Sequence, residues 1–217
     1  MQEIITFISF IGQGLGITLL LLGGGFAIGL TLGLLIALLS YHKKLTLIIK
    51  CYVALLRSTP LILQLSFIYF VLPSLLPLNI GVVTAGILAF GLNSSAYVGE
   101  IFKAGILSVP NGQFLAAKSL QIPNFYLWKD IIMPQVIKNI APALVNEAVT
   151  LAKDTAMIAI LGGMDLMRRT QIIAAEHFTY FIPLCVTAFY YSILVYAIEQ
   201  GSKHIFKSKR KSYVKSL

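Results

Sequence analysis

The chain has 217 residues, of which 58% are hydrophobic and only 12% charged, and its mean hydropathy is +0.86. Soluble domains carry about 25% charged residues, so a soluble globule, a disordered chain and a disulfide scaffold are excluded, and an integral membrane protein with little mass outside the bilayer remains. The net charge of +9 would suggest nucleic acid in a soluble protein; here it first raises the question of where the basic residues fall relative to the apolar segments.

A crossing helix needs about 20 mostly apolar residues. Residues 4–41 contain no Lys, Arg, Asp or Glu, which predicts a first span at 13–41 with an interfacial lead-in. Gln2 and Glu3 stand where a secretory signal has basic residues, and no small-x-small cleavage site follows, so an uncleaved span is expected. Gly25, Gly29 and Gly33 recur every fourth residue and form one smooth face for a neighbouring helix. Residues 44–56 read as an interfacial helix or as an extension of the second span. Residues 58–99 are again uncharged and too long for one crossing; the stretch from Pro73 to Pro77 divides them into spans at 57–73 and 80–103. A fourth span at 139–163 is apolar but carries Glu147, Lys153 and Asp154, and a fifth lies at 179–201. The expected fold is an all-α integral membrane domain of five transmembrane helices, followed by a basic tail at 202–217.

The charges orient it. Lys43, Lys44, Lys50 and Arg57 follow the first span; Lys103, Lys118, Lys129 and Lys138 lie between the third and fourth; Lys203, Lys207, Lys209, Arg210, Lys211 and Lys215 form the tail. Basic residues mark the cytoplasmic side, so the N-terminus is expected outside and the C-terminus inside. Arg168 and Arg169 run against this pattern, with Asp165 and Glu176 near enough to offset them. The tail is a topology anchor or a contact with anionic lipid. With the charge absorbed by topology, nucleic acid drops out as a partner.

Several residues carry no legible chemistry. Cys51 and Cys185 lack metal-type spacing, and His42, His177 and His204 sit at helix ends without ligand partners in sequence. The sequon Asn93-Ser94-Ser95 falls inside a span. No phosphate-binding G-x-x-x-x-G-K-[ST] loop and no nucleophile–base–acid set is present, so no catalytic residues are assigned, and no metal or cofactor is expected on this chain.

The cytoplasmic connection at 104–136 is the longest. A short helix is expected after Asn111-Gly112, with Phe114, Ala117, Leu120 and Gln121 at i, i+3, i+6 and i+7, stopped by Pro123. A membrane-surface helix would need several basic residues on its polar face. This one has only Lys118, which favours docking to another protein.

Four segments, in order, are similar to a known family. Arg57-Ser58-Thr59-Pro60-Leu61-Ile62-Leu63-Gln64 resembles R-G-T-P-L-x-x-Q. The stretch Asn93 to Gly105, with Ala96, Tyr97 and Glu100, resembles N-S-x-A-Y-x-A-E-x-x-R-G. Gly112-Gln113-Phe114-Leu115-Ala116-Ala117, followed by Met133-Pro134-Gln135, resembles a G-Q-x-E-A-A coupling loop ending in L-P-Q. Lys153-Asp154-Thr155 resembles K-D-[ST]. Together they resemble the permease subunit of bacterial ABC importers for polar amino acids of the histidine, glutamine and arginine type. The resemblance implies a type I ABC importer transmembrane domain in the bacterial inner membrane. It also implies an ABC ATPase dimer that binds ATP-Mg, a second permease copy or a homologous chain, and an extracytoplasmic substrate-binding protein. The ATPase-coupling loop would comprise Gly112, Gln113, Phe114, Leu115, Ala116, Ala117, Lys118, Leu120 and Pro134. The chain departs from the pattern at Leu115, where the family has Glu, at Gln121, where it has Gly, and at Ser58.

Charge inside the bilayer points to the substrate path independently of the resemblance, because ionisable residues there are costly. Glu147, Thr150 and Asp154 share one face of the fourth span, with Asn146, Thr150 and Lys153 beside them; Asn93, Tyr97 and Glu100 share one face of the third. Two polar stripes suggest a shared cavity. An amino acid needs a cation for its carboxylate, from Lys153 or Arg57, and an anion for its ammonium, from Glu147 or Asp154. The expected path is Asn93, Ser94, Tyr97, Glu147, Thr150, Lys153 and Asp154. Arg57, Thr59, Pro60, Gln64 and Glu100 are read as gate or structural residues. Rival readings are a permease for another small solute and a non-transporting membrane scaffold.

Overall fold

A computed structural model of the chain describes residues 2–40, 45–76 and 79–214, with side chains described as far as His204. His42, Lys43, Lys44, Pro77 and Lys215 lie outside the described residues, as do the side chains of Lys207, Lys209, Arg210 and Lys211. Every regular element described is helical. Among the described residues, three helical stretches are long and apolar enough to cross a membrane, Gln2–Leu39, Val82–Leu107 and Phe181–His204, and a bent pair, Thr46–Ser58 with Leu61–Leu75, makes a fourth if it counts as one crossing.

Helix α1 (Gln2–Gly12) precedes α2 (Leu15–Leu39). The helical stretch that holds the expected first span therefore begins at Gln2, with a kink at Gln13–Gly14. Phe7 and Ile11 of α1 pack on Leu166 and Ile173. The kink needs glycine, because a Cβ on Gly14 would lie 2.5 Å from the carbonyl oxygen of Asp165.

Helix α3 (Thr46–Ser58) meets α4 (Leu61–Ser66) at an angle of 105°. The expected second span at 57–73 is therefore bent at its start, with Arg57 and Ser58 in the last turn of α3. Pro60 explains the elbow: the residue before a proline is driven out of the helical region, and Thr59 is extended at φ −104° and ψ 140°. A π-turn at Phe67–Val71 joins α4 to α5 (Leu72–Leu75). A second π-turn at Leu127–Ile132 joins α8 (Asn124–Tyr126) to α9 (Met133–Asp154). Each lies just ahead of a proline, Pro73 and Pro134, whose missing N–H and bulky ring disturb the ordinary i→i−4 ladder. Both prolines are thereby carried inside helical runs. Pro73 does not end its helix, and α9, which carries the expected fourth span, starts at Met133, ahead of residue 139. It stays helical to Asp154, then tightens into a 3₁₀ segment, Thr155–Leu161, that Gly162 closes at φ +81°.

The connection expected as a loop is also largely helical: α6 (Val82–Leu107), α7 (Asn111–Ser119) and α8 follow with short breaks. Helix α7 ends before Pro123. Ile122 N–H donates to the Ala117 carbonyl (3.0 Å) and Gln121 N–H to Lys118 (3.1 Å), with Gln121 at φ +53°. This is the left-handed C-terminal cap normally given to glycine. Helix α10 (Leu166–Glu176) leads to α11 (Phe181–Val214), which carries the helix on into the basic tail.

Two apolar cores stack along the bundle, one around Leu21, Leu65, Phe90, Leu151 and Ile158, the other around Val98, Phe102, Val109, Ile132, Val136 and Ile140. The α2–α6 seam ties them together. A Cβ on Gly29 would lie 2.7 Å from Ser94 Oγ, one on Gly33 2.6 Å from Val98 Cγ1, and one on Gly91 2.7 Å from Ile28. Each helix seats a branched or polar side chain in the other's glycine notch. Close packing of this kind replaces the hydrophobic driving force that lipid removes.

Candidate functional site

The Pro60 elbow builds a polar cluster of its own. The Leu56 carbonyl would bond to residue 60, but proline has no N–H. Gln64 takes over: its Nε2 donates to the Leu56 carbonyl (2.8 Å), the Thr59 carbonyl (3.1 Å) and Thr59 Oγ1 (2.9 Å). Asn93 of α6 donates from Nδ2 to Gln64 Oε1 (3.1 Å) and to the Leu56 carbonyl (3.3 Å). Tyr52 pairs with Ser95 at 2.8 Å. The Arg57 guanidinium lies 5.2 Å over the Tyr97 ring, and Glu100 pairs with Lys103 at 3.4 Å. The stripe Asn93, Tyr97 and Glu100 thus turns toward α3 and α4.

Glu147 belongs to a second cluster. Ser94 donates to its Oε1 at 2.7 Å, and Ser94 itself fills the space opposite Gly29. The expected shared cavity is thus two neighbouring clusters on adjacent faces of α6, with the consecutive residues Asn93 and Ser94 facing one each. Lys153 forms no ion pair with Glu147 or Asp154; among the described residues the single ion pair is Lys103–Glu100. Along α9, Pro142, Asn146, Thr150 and Lys153 are exposed, at i, i+4, i+8 and i+11. That spacing is one helix face, and among the described residues no other part of the chain covers it. Asp154 is half-buried at its end.

The residues of the expected coupling loop divide by burial. Ala117 is buried with Val109 and Leu127, and Phe114 packs against the same core and edge-on to Trp128, with ring centres 6.1 Å apart. These two anchor α7 to the bundle, and Pro134 is half-buried in α9. Gly112, Gln113, Leu115, Ala116, Lys118 and Leu120 are exposed, Leu115 by 66% and Leu120 by 73%. Helix α7 thus offers an apolar outer face with a single positive charge and no acidic residue.

One polar cluster escaped the sequence reading. Asp165 caps α10, accepting from Arg168 N–H at 2.8 Å, and Tyr191 donates to its other oxygen at 3.4 Å. It is fully buried. Burial pushes its carboxyl up to about 6, against the lowering effect of these hydrogen bonds. Beside it, Leu166 N–H donates to Thr18 (3.4 Å), and Thr170 pairs with Thr187. The signal in the sequence is an Asp directly ahead of an apolar helix start, at a position noted above for its charge beside Arg168 and Arg169. Arg169 itself is held by Gln13 (2.9 Å) and lies over Phe10.

Comparison with known proteins adds the following. The family model described as binding-protein-dependent transport system inner membrane component matches residues 29–210. The chain is 46% identical over 202 residues to a protein of Rickettsia conorii named as a glutamine transport system permease, covering 92% of this chain and 93% of that one. It is 41% identical over 190 residues to an arginine transport system permease protein of Bacillus subtilis, covering 87% of each. Its fold superimposes with a TM-score of 0.86 and 35% identity on a chain of an amino acid ABC transporter crystallised with histidines, covering 95% of this chain and 97% of that one. It superimposes with a TM-score of 0.78 and 19% identity on a chain of a methionine ABC transporter, a likeness of fold.

Proposed function

The chain belongs to the family of binding-protein-dependent transport system inner membrane components, and on that premise we propose that it is the permease subunit of an ABC importer for a polar amino acid of the glutamine, arginine or histidine type. It crosses the membrane five times, with α9 and its 3₁₀ extension as the fourth crossing, the N-terminus outside and the C-terminus inside. The energy comes from an ATPase dimer that binds ATP-Mg and docks on α7. An extracytoplasmic binding protein delivers the amino acid from the opposite side.

The observation that carries this reading is the uncovered polar face of α9. Lipid cannot satisfy Asn146, Thr150 and Lys153. A second copy of the chain, or a homologous chain, covers that face and leaves a polar route between them. Glu147 and Asp154 are two turns apart, about 10 Å along the axis. They supply the negative ends for an ammonium or a cationic side chain, and Lys153 supplies a cation for the carboxylate. Thr59, Pro60, Gln64 and Asn93 hold the elbow that shapes the route. Arg57 and Glu100 stand at its cytoplasmic mouth.

Rigid-body rocking of the two copies, driven by the ATPase through α7, exposes the route to one side and then the other. The test is uptake of a labelled amino-acid panel by the complex reconstituted with its ATPase and binding protein. ATP-dependent uptake of one or more polar amino acids is expected, and its absence across the panel would discard the reading. Glu147→Gln should lower uptake of a cationic amino acid at least tenfold more than that of a neutral one. An equal effect on both removes Glu147 from the route.

A further inference from the structure

A groove of about 640 Å³ runs between the C-terminal end of α2, the length of α3 and the C-terminal half of α6. Its floor is apolar, built by Ile36, Ile49 and Val53, and its rim carries Lys50, Arg57 and Lys103 against one carboxylate, Glu100. Glu100 is already satisfied by Lys103. Among the described residues Lys50 and Arg57 form no ion pair, and both are exposed. The Tyr97 ring beneath Arg57 gives its guanidinium a fixed place. Helix α3 carries the two halves of this chemistry on different faces: Lys50 and Arg57 border the groove, while Ile48 and Leu55 point outward and are exposed. A helix with an uncovered apolar face and a cationic one lies at the boundary between acyl chains and headgroups.

We propose that this groove binds an anionic phospholipid, its phosphate held by Lys50 and Arg57 and its acyl chains lying on the apolar floor and along the outer face of α3. The proposal rests on the reading above that α3 lies at the cytoplasmic leaflet, where anionic lipid attracts basic segments. A free phosphate would meet the same two cations but leave the floor empty. Charge and apolar surface together select a lipid. The lipid sits beside the Pro60 elbow and braces α3 against α6.

The test uses the purified full-length chain, with lipid binding read by native mass spectrometry and by the unfolding temperature. Phosphatidylglycerol should be retained one per chain and raise the unfolding temperature, and phosphatidylcholine should do neither. The double variant Lys50→Gln, Arg57→Gln should weaken phosphatidylglycerol binding at least tenfold. Ala54→Trp, which fills the groove at an exposed lining position without changing charge, should do the same. Deleting residues 205–217 should leave the affinity within about twofold. Equal binding of both lipids, unchanged affinity in Ala54→Trp, or loss of binding on deleting the tail would overturn the proposal. So would stabilisation by inorganic phosphate or glycerol 3-phosphate equal to that by the lipid, which would assign the groove to a soluble anion. Amino-acid uptake with no lipid selectivity sinks the lipid site alone. Selective lipid binding without uptake of any amino acid sinks the transport reading alone.

Discussion

Asp165 shows what one buried carboxyl does to a helix junction. Its usual value is 3.8, and burial raises it to about 6. The folded chain therefore holds the proton more tightly than the unfolded chain does. Stability is greatest below about pH 4 and falls as pH rises through the window from about 4 to 6. Asp165→Asn keeps an oxygen to cap α10 and removes the charge. Its stability should be flat across that window, and at pH 7 it should exceed the parent by up to about 3 kcal/mol. Thermal unfolding in detergent from pH 4 to 7 checks this; a parent curve that rises with pH across the window would refute it. Gln121 is a second single-residue case. A side chain at φ +53° costs roughly 1 kcal/mol relative to glycine. Gln121→Gly should therefore stabilise the end of α7 by up to about 1 kcal/mol, less the chain entropy glycine adds to the unfolded state. Slower amide exchange at Gln121 and Ile122 is the readout.

Helix pairs decide more than single residues do. Gly33 faces the stiff, β-branched Val98 and the backbone of Gly99, so Gly33→Ala should cost about 1–3 kcal/mol by overpacking. Gly23→Ala, where a Cβ would meet nothing within 4 Å, should be neutral or better. A comparison of the two by unfolding in detergent isolates the seam. The spacing of Gly25, Gly29 and Gly33 was readable in the chain before any partner was known, because close approach needs small residues at a fixed period. The polar residues of α9 were readable for the opposite reason: a charge inside an apolar run is conspicuous. The elbow was not. Pro60 makes the bend, but what holds it is Gln64, a local exchange of one hydrogen bond for another that leaves no periodic trace. The break read from Pro73 onward comes two residues later, because a π-turn ahead of that proline absorbs the lost bond and the helix runs on to Leu75 before the next begins at Val82. Asn93 and Ser94 read as one site, although adjacent residues on a helix point 100° apart and here serve two clusters.

At the scale of the whole molecule, the proposed docking of an ATPase on α7 asks of a helix of nine residues that it move a bundle. It can do so only if its inner face is fixed to the bundle and its outer face is free to bind. Phe114 and Ala117 provide the first condition, and Leu115, Ala116 and Leu120 the second. Two neighbouring alanines therefore separate docking from folding. Ala116→Glu puts a charge on the exposed face, opposite a partner for which this chain offers apolar surface. Amino-acid-stimulated ATP hydrolysis by the reconstituted complex should fall at least tenfold, while membrane insertion and the permease's own unfolding temperature stay unchanged. Ala117 is 2% exposed, and a buried unpaired carboxylate costs several kcal/mol. Ala117→Glu should lower the unfolding temperature of the isolated permease and lose coupling with it. If Ala116→Glu also destabilises the isolated permease, its face is not free. If it leaves ATP hydrolysis coupled, the ATPase docks elsewhere and α7 is not the lever.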